Sequence, residues 1–232
     1  MVNKLSVILM LILSTISCGS DNNIYNWQTT KVEYNITDGN ARDQVEISYP
    51  LIVNDDRDAA QKINRTIQST ISQTIDPKAS SVDIALDNIF ALRAADSVIS
   101  HIPYSVIVSA EVYQYELCAS VKLSIYTFFG GANGIQQNRF LNFDLETGEV
   151  KDIDKLINLD EELLARVREA VCLSQNIKPT DTKEQSGLFF APSEIPFPKE
   201  IGFREDGVVF LYNMYEIAPR SNGVIEVVID NK

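Results

Sequence analysis

Residues 105–129, with the sequence SVIVSAEVYQYELCASVKLSIYTFF, carry the pattern that decides the fold. Apolar side chains occupy every second position in two runs, the first from Val106 to Val112 and the second from Ala119 to Ile125. A period of two is typical of strands that bury one face. Because only a short turn separates the runs, they are predicted to be neighbouring strands of an antiparallel sheet whose other face is wetter.

The chain downstream of this pair continues with a strand, a helix and two more strands. A third strand is predicted near residues 139–145. Asn158 is predicted to cap a helix, because its side chain can accept a hydrogen bond from a free N–H of the first turn. The inward face of that helix holds Leu163, Leu164, Val167 and Val171. Strands over Val208–Tyr212 and Val224–Ile229 complete the pattern.

Two strands and two helices are predicted upstream of the pair. The strands cover residues 26–36 and 43–50, with Asp38-Gly39-Asn40 as the turn between them. A helix follows and ends at Asp76-Pro77, and its apolar face holds Ala59, Ala60, Ile63, Ile67, Ile71 and Ile75. A second helix is predicted from the Ser80-Ser81-Val82-Asp83 capping signal to about Val98.

Helices and strands therefore come in separate runs, which indicates the α+β class. We predict a mainly antiparallel sheet with two to three helices packed on one face. The predicted organisation is an N-terminal α+β subdomain over residues 26–104 and a C-terminal α+β module over residues 105–232. The proline-rich stretch 176–198 is predicted to be a long loop. Its apolar residues either cover a sheet face or form an exposed recognition loop, and they are Phe189, Phe190, Ile195 and Phe197.

The first residues resemble the leader of a bacterial lipoprotein. Lys4 precedes a mostly apolar run from Leu5 to Ile16, which is shorter than the roughly 20 residues of a membrane-spanning helix. Ser17 stands directly before Cys18, as in a lipobox. We expect residues 1–17 to be removed as a signal peptide, Cys18 to be lipidated, and residues 18–25 to form a polar tether. Gly19 favours the outer membrane. The alternative is an ordinary cleaved signal with an incidental cysteine.

The charge balance narrows the choice of partners. The full chain has 32 Asp+Glu against 20 Lys+Arg and a formal net charge of −12. Such an acidic chain is a poor match for nucleic acid or an anionic membrane surface, so we expect membrane attachment through the lipid alone. A cationic partner would be favoured. The oligomeric state is not indicated by the sequence.

Several stretches resemble a family of bacterial envelope domains of unassigned function. They are the loop 130–134 (GGANG), the strand and turn 142–149, the segment 152–157, and residues 207–227. The chain from about residue 105 onward resembles the extracellular module of lysozyme-sensing anti-sigma factors. It is also similar to the non-catalytic N-terminal region of some peptidoglycan deacetylases. Family members often carry histidine where this chain has Asn133.

The resemblance implies a folded envelope domain that binds a lysozyme-like protein or cell-wall material, without implying a reaction. We therefore expect a membrane-tethered, non-enzymatic binding lipoprotein. The alternative function is a structural or accessory lipoprotein that scaffolds an envelope complex, and a wall-processing hydrolase is a further alternative. No serine nucleophile elbow, zinc motif or cysteine–histidine pair stands out in the sequence, so we predict no enzymatic activity, cofactor or metal.

The first candidate site is the glycine-rich loop, with Gly130, Gly131 and Asn133 as ligand-binding residues. Glycines permit positive φ angles and allow a ligand or another backbone to come close. The alternative is a bend between strands that Phe128 and Phe129 pack against.

The second candidate site combines Tyr212, Tyr215, Glu216 and Arg220. Tyrosine offers rigid contact area with a polar tip, and arginine pairs with carboxylates, so the cluster could anchor a partner. In the alternative interpretation the segment only turns the chain, and Glu216 accepts backbone N–H bonds from the glycine loop.

Two cysteines follow the leader. Cys118 and Cys172 lie in mostly apolar surroundings and are predicted to be free thiols, and the alternative is a disulfide between them.

Overall fold

The structure, a computed structural model, describes residues 25–38, 41–95 and 102–230. The predicted signal peptide, Cys18 with the tether up to residue 24, Gly39, Asn40, and the end of the second predicted helix at Val98 lie outside these residues. The strands are β1 (Trp27–Asp38), β2 (Ala41–Ile52), β3 (Ser105–Tyr115), β4 (Cys118–Phe128), β5 (Ile135–Asp144), β6 (Glu200–Arg204), β7 (Gly207–Tyr212) and β8 (Ile225–Ile229). The helices are α1 (Asp58–Ile75), α2 (Val82–Ala95), α3 (Glu161–Gln175) and the single turn α4 (Lys183–Ser186).

These strands form two sheets. The five-stranded sheet has the order β1-β2-β3-β4-β5, and the three-stranded sheet has the order β6-β7-β8. Neighbours in the smaller sheet are antiparallel, as are β1 and β2. The α+β class is therefore confirmed. β2 and β3 are parallel, with Gln44 opposite Ser105, because α1 and α2 return the chain between them.

The chain forms two compact units that are interleaved along the sequence. The first unit combines the residues up to Glu111 with Leu123–Gln136 and Leu145–Glu149. The second unit combines Val112–Lys122, Gln137–Asp144 and the residues from Val150 onward. Strands β3, β4 and β5 therefore contribute residues to both units, and the units divide the chain at other places than residue 104.

The core of the first unit lies between α1 and β2. Ile63, Ile67 and Ile71 follow one another at helical spacing and are fully buried, as the sequence predicts. Asn64 attaches the helix to the sheet, because its amide accepts a hydrogen bond from the Ile52 N–H and donates one to the Ile52 carbonyl, both at 2.8 Å.

The core of the second unit lies between α3 and the smaller sheet, and it contains Val167, Val171, Phe210 and Tyr212. Asp160 caps α3, because its Oδ1 accepts a hydrogen bond from the Leu163 N–H at 2.9 Å. The prediction that Asn158 caps this helix was wrong. The Asn158 amide instead donates to the second Asp160 oxygen at 2.8 Å.

The stretch 176–198 is partly folded into this core. It contains α4 and a 3-10 turn at Pro192–Glu194. Ile195 is fully buried, and Phe197 stacks on Phe210 with ring centroids 5.9 Å apart. The interpretation that these side chains cover a sheet is therefore the better one. Within the described ranges, no helix is both long and apolar enough to span a membrane.

Candidate functional site

Two residues of the predicted tyrosine cluster, Tyr212 and Glu216, have structural roles. The buried Tyr212 hydroxyl donates a hydrogen bond to the Pro196 carbonyl at 2.7 Å. Burial raises the pKa of this phenol, and the Glu216 carboxylate raises it further. Glu216 accepts hydrogen bonds from the Lys199 N–H at 3.0 Å and the Asn213 N–H at 2.9 Å. It is therefore a backbone acceptor, but its partners are these two residues and not the glycine loop.

The exposed part of the cluster is Tyr215, whose side chain is 61% exposed. Its φ of +67° is unusual for a residue other than glycine. Arg220 is half-buried and begins a 3-10 turn at Arg220–Asn222. Of the four predicted residues, Tyr215 is thus the one most available to a partner.

Replacing Glu216 with alanine is expected to lower the free energy of unfolding by about 1–3 kcal/mol, because two backbone N–H groups lose their acceptor. Urea titration of the Glu216→Ala variant checks this. Glu216→Gln is the matched control, since its one amide oxygen can keep one of the two bonds and should lose less. Equal losses for both variants would contradict the assignment.

The glycine-rich loop is a bend of the first unit, and close packing is confined to its ends at Gly130 and Gly134. Gly130 and Gly131 have φ angles of +92° and +104°. A Cβ placed on Gly134 would lie 2.3 Å from the ring of Tyr126, so the backbone passes directly against that ring. Asn133 is exposed. The loop and the tyrosine cluster belong to different units. The loop joins β4 to β5, and the side chains that lie against its glycines are Ile102 and Tyr126, whereas the sequence interpretation named Phe128 and Phe129.

A row of polar side chains on β5 was missed by the sequence interpretation. Asn138 and Asn142 are 2% and 6% exposed, although amides are costly to bury without partners. The Asn142 amide donates to the Ile201 carbonyl and accepts a hydrogen bond from the Ser120 hydroxyl. Asn138 exchanges hydrogen bonds with Asn213. Within the second unit these residues fix β5 to the segments around β6 and β7.

Glu200 at the start of β6 belongs to the same arrangement. Its carboxylate accepts a hydrogen bond from the Phe140 N–H at 2.8 Å. Burial raises the pKa of this carboxyl above its ordinary value. A single acid with a backbone partner is better suited to holding strands than to catalysis.

The feature best suited to binding is a cavity of about 380 Å³ in the second unit, which we call the hairpin cavity. One wall is the hairpin formed by the ends of β3 and β4, and the other comes from β6 and the segment before α3. The lining residues are Tyr113, Tyr115, Glu116, Leu117, Cys118, Ser120, Leu156, Ile157, Phe203 and Arg204. The volume lies within the range of roughly 300–1,000 Å³ that is usual for ligand pockets.

The hairpin tip at the cavity is apolar and exposed. Tyr115 is 62% exposed and Leu117 is 48% exposed. Glu116 between them has a φ of +48°, which turns the chain from β3 into β4 within two residues. Exposed aromatic and aliphatic side chains beside a cavity are typical of binding sites.

Two family profiles match separate segments of the chain. Residues 36–136 match the profile of the family described as Deacetylase PdaC. Residues 150–232 match the profile of DUF3298, a protein family of unknown function. This second match makes the C-terminal part of the chain similar to DUF3298 proteins. No curated protein matches the sequence.

Solved DUF3298 structures share the fold. A family member from Bacteroides fragilis has a TM-score of 0.68 at 16% identity, over 91% of this chain and 92% of that one. A family protein from Pseudomonas aeruginosa has a TM-score of 0.69 at 18% identity, over 90% and 92% of the two chains. Together the matches indicate an envelope-type domain of unknown function.

The hairpin cavity combines both matched segments. The segment that matches DUF3298 supplies the wall from Leu156 to Arg204, and the segment that matches the deacetylase family supplies the hairpin. No sequence motif links these residues, because they come together only through the fold.

The two cysteines are free thiols at separate places in the second unit. Cys118 lines the cavity, and Cys172 is buried in α3. Burial raises the pKa of both thiols, which leaves them poorly nucleophilic at neutral pH. No cluster of metal-ligating side chains occurs in the part of the chain that the structure describes.

Proposed function

We propose that the chain is a non-enzymatic, lipid-anchored binding protein of the bacterial envelope that recognises a lysozyme-like protein or a cell-wall ligand. The observation that carries this proposal is the hairpin cavity, whose rim holds the exposed Tyr115 and Leu117. Its lining contains one carboxylate, Glu116, and so lacks the pair of acids that most glycoside hydrolases use.

The acidic character of the chain suits a basic protein. A net charge of −12 would raise the rate at which a cationic partner meets it, and the effect would fall with salt. A lysozyme-like protein is therefore the first ligand to try.

Calorimetric titration of the chain with lysozymes and with peptidoglycan fragments, at low and moderate salt, tests the proposal. We expect binding to one of them, weakened by Tyr115→Ser. The matched control is Leu173→Ser, which changes an apolar side chain that is 77% exposed on α3. Lack of binding to both ligands would contradict the proposal, and so would acetate release from N-acetylglucosamine oligomers.

The proposed anchor is tested separately. Cys18→Ala removes the thiol that would receive lipid, so the chain should move from the outer-membrane fraction to the soluble fraction. An unchanged distribution would argue against lipidation.

A scaffold within an envelope complex is the second candidate function. It is favoured by α2, where Ile84 and Leu92 are 43% and 69% exposed. Co-purification of a fixed partner that is lost in Leu92→Lys, with lysozyme and peptidoglycan both unbound, would support this function over the first.

A further inference from the structure

We infer that the hairpin cavity receives an uncharged apolar side chain from a basic segment of a protein partner, and does not take a saccharide. This inference rests on the proposed binding role of the same site and names the chemistry of its occupant. Three properties of the lining carry it: the existing hydrogen bonds of Ser120 and Arg204, the small and mostly apolar volume, and one carboxylate at the hairpin tip.

Two polar side chains of the lining, Ser120 and Arg204, are already engaged within the second unit. The Ser120 hydroxyl donates to Asn142 Oδ1 at 2.7 Å and accepts a hydrogen bond from the Phe203 N–H at 2.9 Å. All three nitrogens of the Arg204 guanidinium are bonded to carboxylates. Nε and Nη2 contact Asp206 at 2.7 Å each, and Nη1 contacts Glu226 at 3.2 Å.

A saccharide would therefore enter at a disadvantage. Each sugar hydroxyl that leaves water needs a new partner, and an unpaired polar group costs free energy. Ser120 and Arg204 would have to break existing bonds to supply one. An apolar group makes no such demand, because it only removes its own surface and that of the lining from water.

The size and composition of the cavity agree with one inserted side chain. A volume of about 380 Å³ is at the lower end for ligand pockets. The rings of Tyr113, Tyr115 and Phe203 and the side chains of Leu117 and Ile157 give most of the lining an apolar character. Aromatic or branched aliphatic anchors that fill such pockets often dominate protein interfaces.

The charge at the hairpin tip indicates what flanks the anchor. Arg204 is neutralised by Asp206 and Glu226, and the Lys122 ammonium also pairs with Glu226, at 2.6 Å. Glu116 is the one carboxylate of the lining, and it forms no ion pair within residues 25–38, 41–95 and 102–230. A lysine or arginine next to the anchor would pair with it.

Cys118 provides a native reporter for occupancy, because this residue lines the cavity and is only partly buried. The full chain is treated with iodoacetamide at mildly alkaline pH, and alkylation of Cys118 is followed by peptide mass spectrometry. The probe is an acetylated and amidated tripeptide with phenylalanine between two lysines. The comparison probes replace the phenylalanine with glycine, replace both lysines with glutamates, or substitute an N-acetylglucosamine trimer for the peptide.

We expect the phenylalanine–lysine peptide to slow Cys118 alkylation several-fold, and the glycine peptide and the sugar to leave it unchanged. Glu116→Gln should weaken the peptide's effect by about twofold to fivefold, the range for an exposed ion pair. Glu194→Gln is the matched control, since Glu194 is an exposed carboxylate elsewhere in the second unit. Alkylation of the buried Cys172 should stay slow throughout, which shows that the chain remains folded.

Protection by the sugar without protection by the peptide would overturn the inference, and so would equal rates with all probes. These outcomes are separable from failure of the proposed function. If lysozyme or peptidoglycan binds while Cys118 alkylation is unchanged by every probe, the binding role stands and the apolar occupant of the cavity is wrong.

Discussion

Replacing Phe210 with alanine is expected to lower the free energy of unfolding by about 3–5 kcal/mol, the range for removing a buried aromatic side chain. Phe210 is fully buried in β7. Its ring stacks on Phe197 with centroids 5.9 Å apart. The surrounding side chains come from a sheet and a packed loop that cannot close over the vacated space. The cavity left by the missing ring should therefore add a large share of the loss in stability.

Urea titration monitored by circular dichroism measures this loss. Phe189→Ala is the matched control, because the same side chain is removed from a position that is 38% exposed in the same unit. That variant should lose much less. A loss for Phe210→Ala no greater than the loss for Phe189→Ala would show that Phe210 is not at the centre of the second core.

Gly148→Ala should have a comparably large effect in the first unit, with a loss of about 2–5 kcal/mol from backbone strain and overpacking. Gly148 has a φ of +70°. A Cβ placed there would lie 2.4 Å from the Ala59 carbonyl oxygen, in the first turn of α1. Because the contact is with backbone, no side-chain rotation can relieve it, and the turn would have to separate from the helix.

The variant Gly187→Ala separates backbone strain from overpacking. Gly187 has nearly the same φ, +71°, but a Cβ there meets no atom within 4 Å. Its loss should be limited to the backbone term of about 1–2 kcal/mol. Equal losses in the two variants, measured by thermal and urea unfolding, would mean that the contact with α1 does not constrain the turn.

The parts of the fold that follow a local period could be predicted from the sequence. The alternation over residues 105–129 places β3 and β4 within a few residues of their observed bounds. The isoleucine face and the Asp76-Pro77 stop do the same for α1, which ends at Ile75. Such patterns arise because one face of the helix or strand is buried, so apolar residues recur at a fixed spacing within a short stretch of sequence.

β6 was not predicted, because Gly202 lowers the strand propensity of a five-residue segment with charged ends. The structure shows why a glycine occupies position 202, since a Cβ there would lie 2.0 Å from the Phe140 ring. The parallel pairing of β2 with β3 was missed for a different reason. Parallel register depends on how far a crossover returns the chain, and that distance has no local signature.

The candidate site was the least predictable part. Tyr115 and Phe203 line one cavity although 88 positions separate their sequence numbers. The sequence drew attention to Tyr212 and Glu216, which are conspicuous as residue types but are used for structure. Tyr215, beside them, is the one left exposed.

The interleaving of the two units along the chain determines how this protein can be dissected. A fragment cut at the start of the DUF3298 match would begin at Val150 and would leave out the β3–β4 hairpin and the asparagines of β5. It would keep Phe203 and Arg204 but lose the opposite wall of the cavity, together with the amides that hold β6. A cut at the boundary of the family match would thus pass through a compact unit, so the second unit has to be studied together with the hairpin and strand that precede Val150.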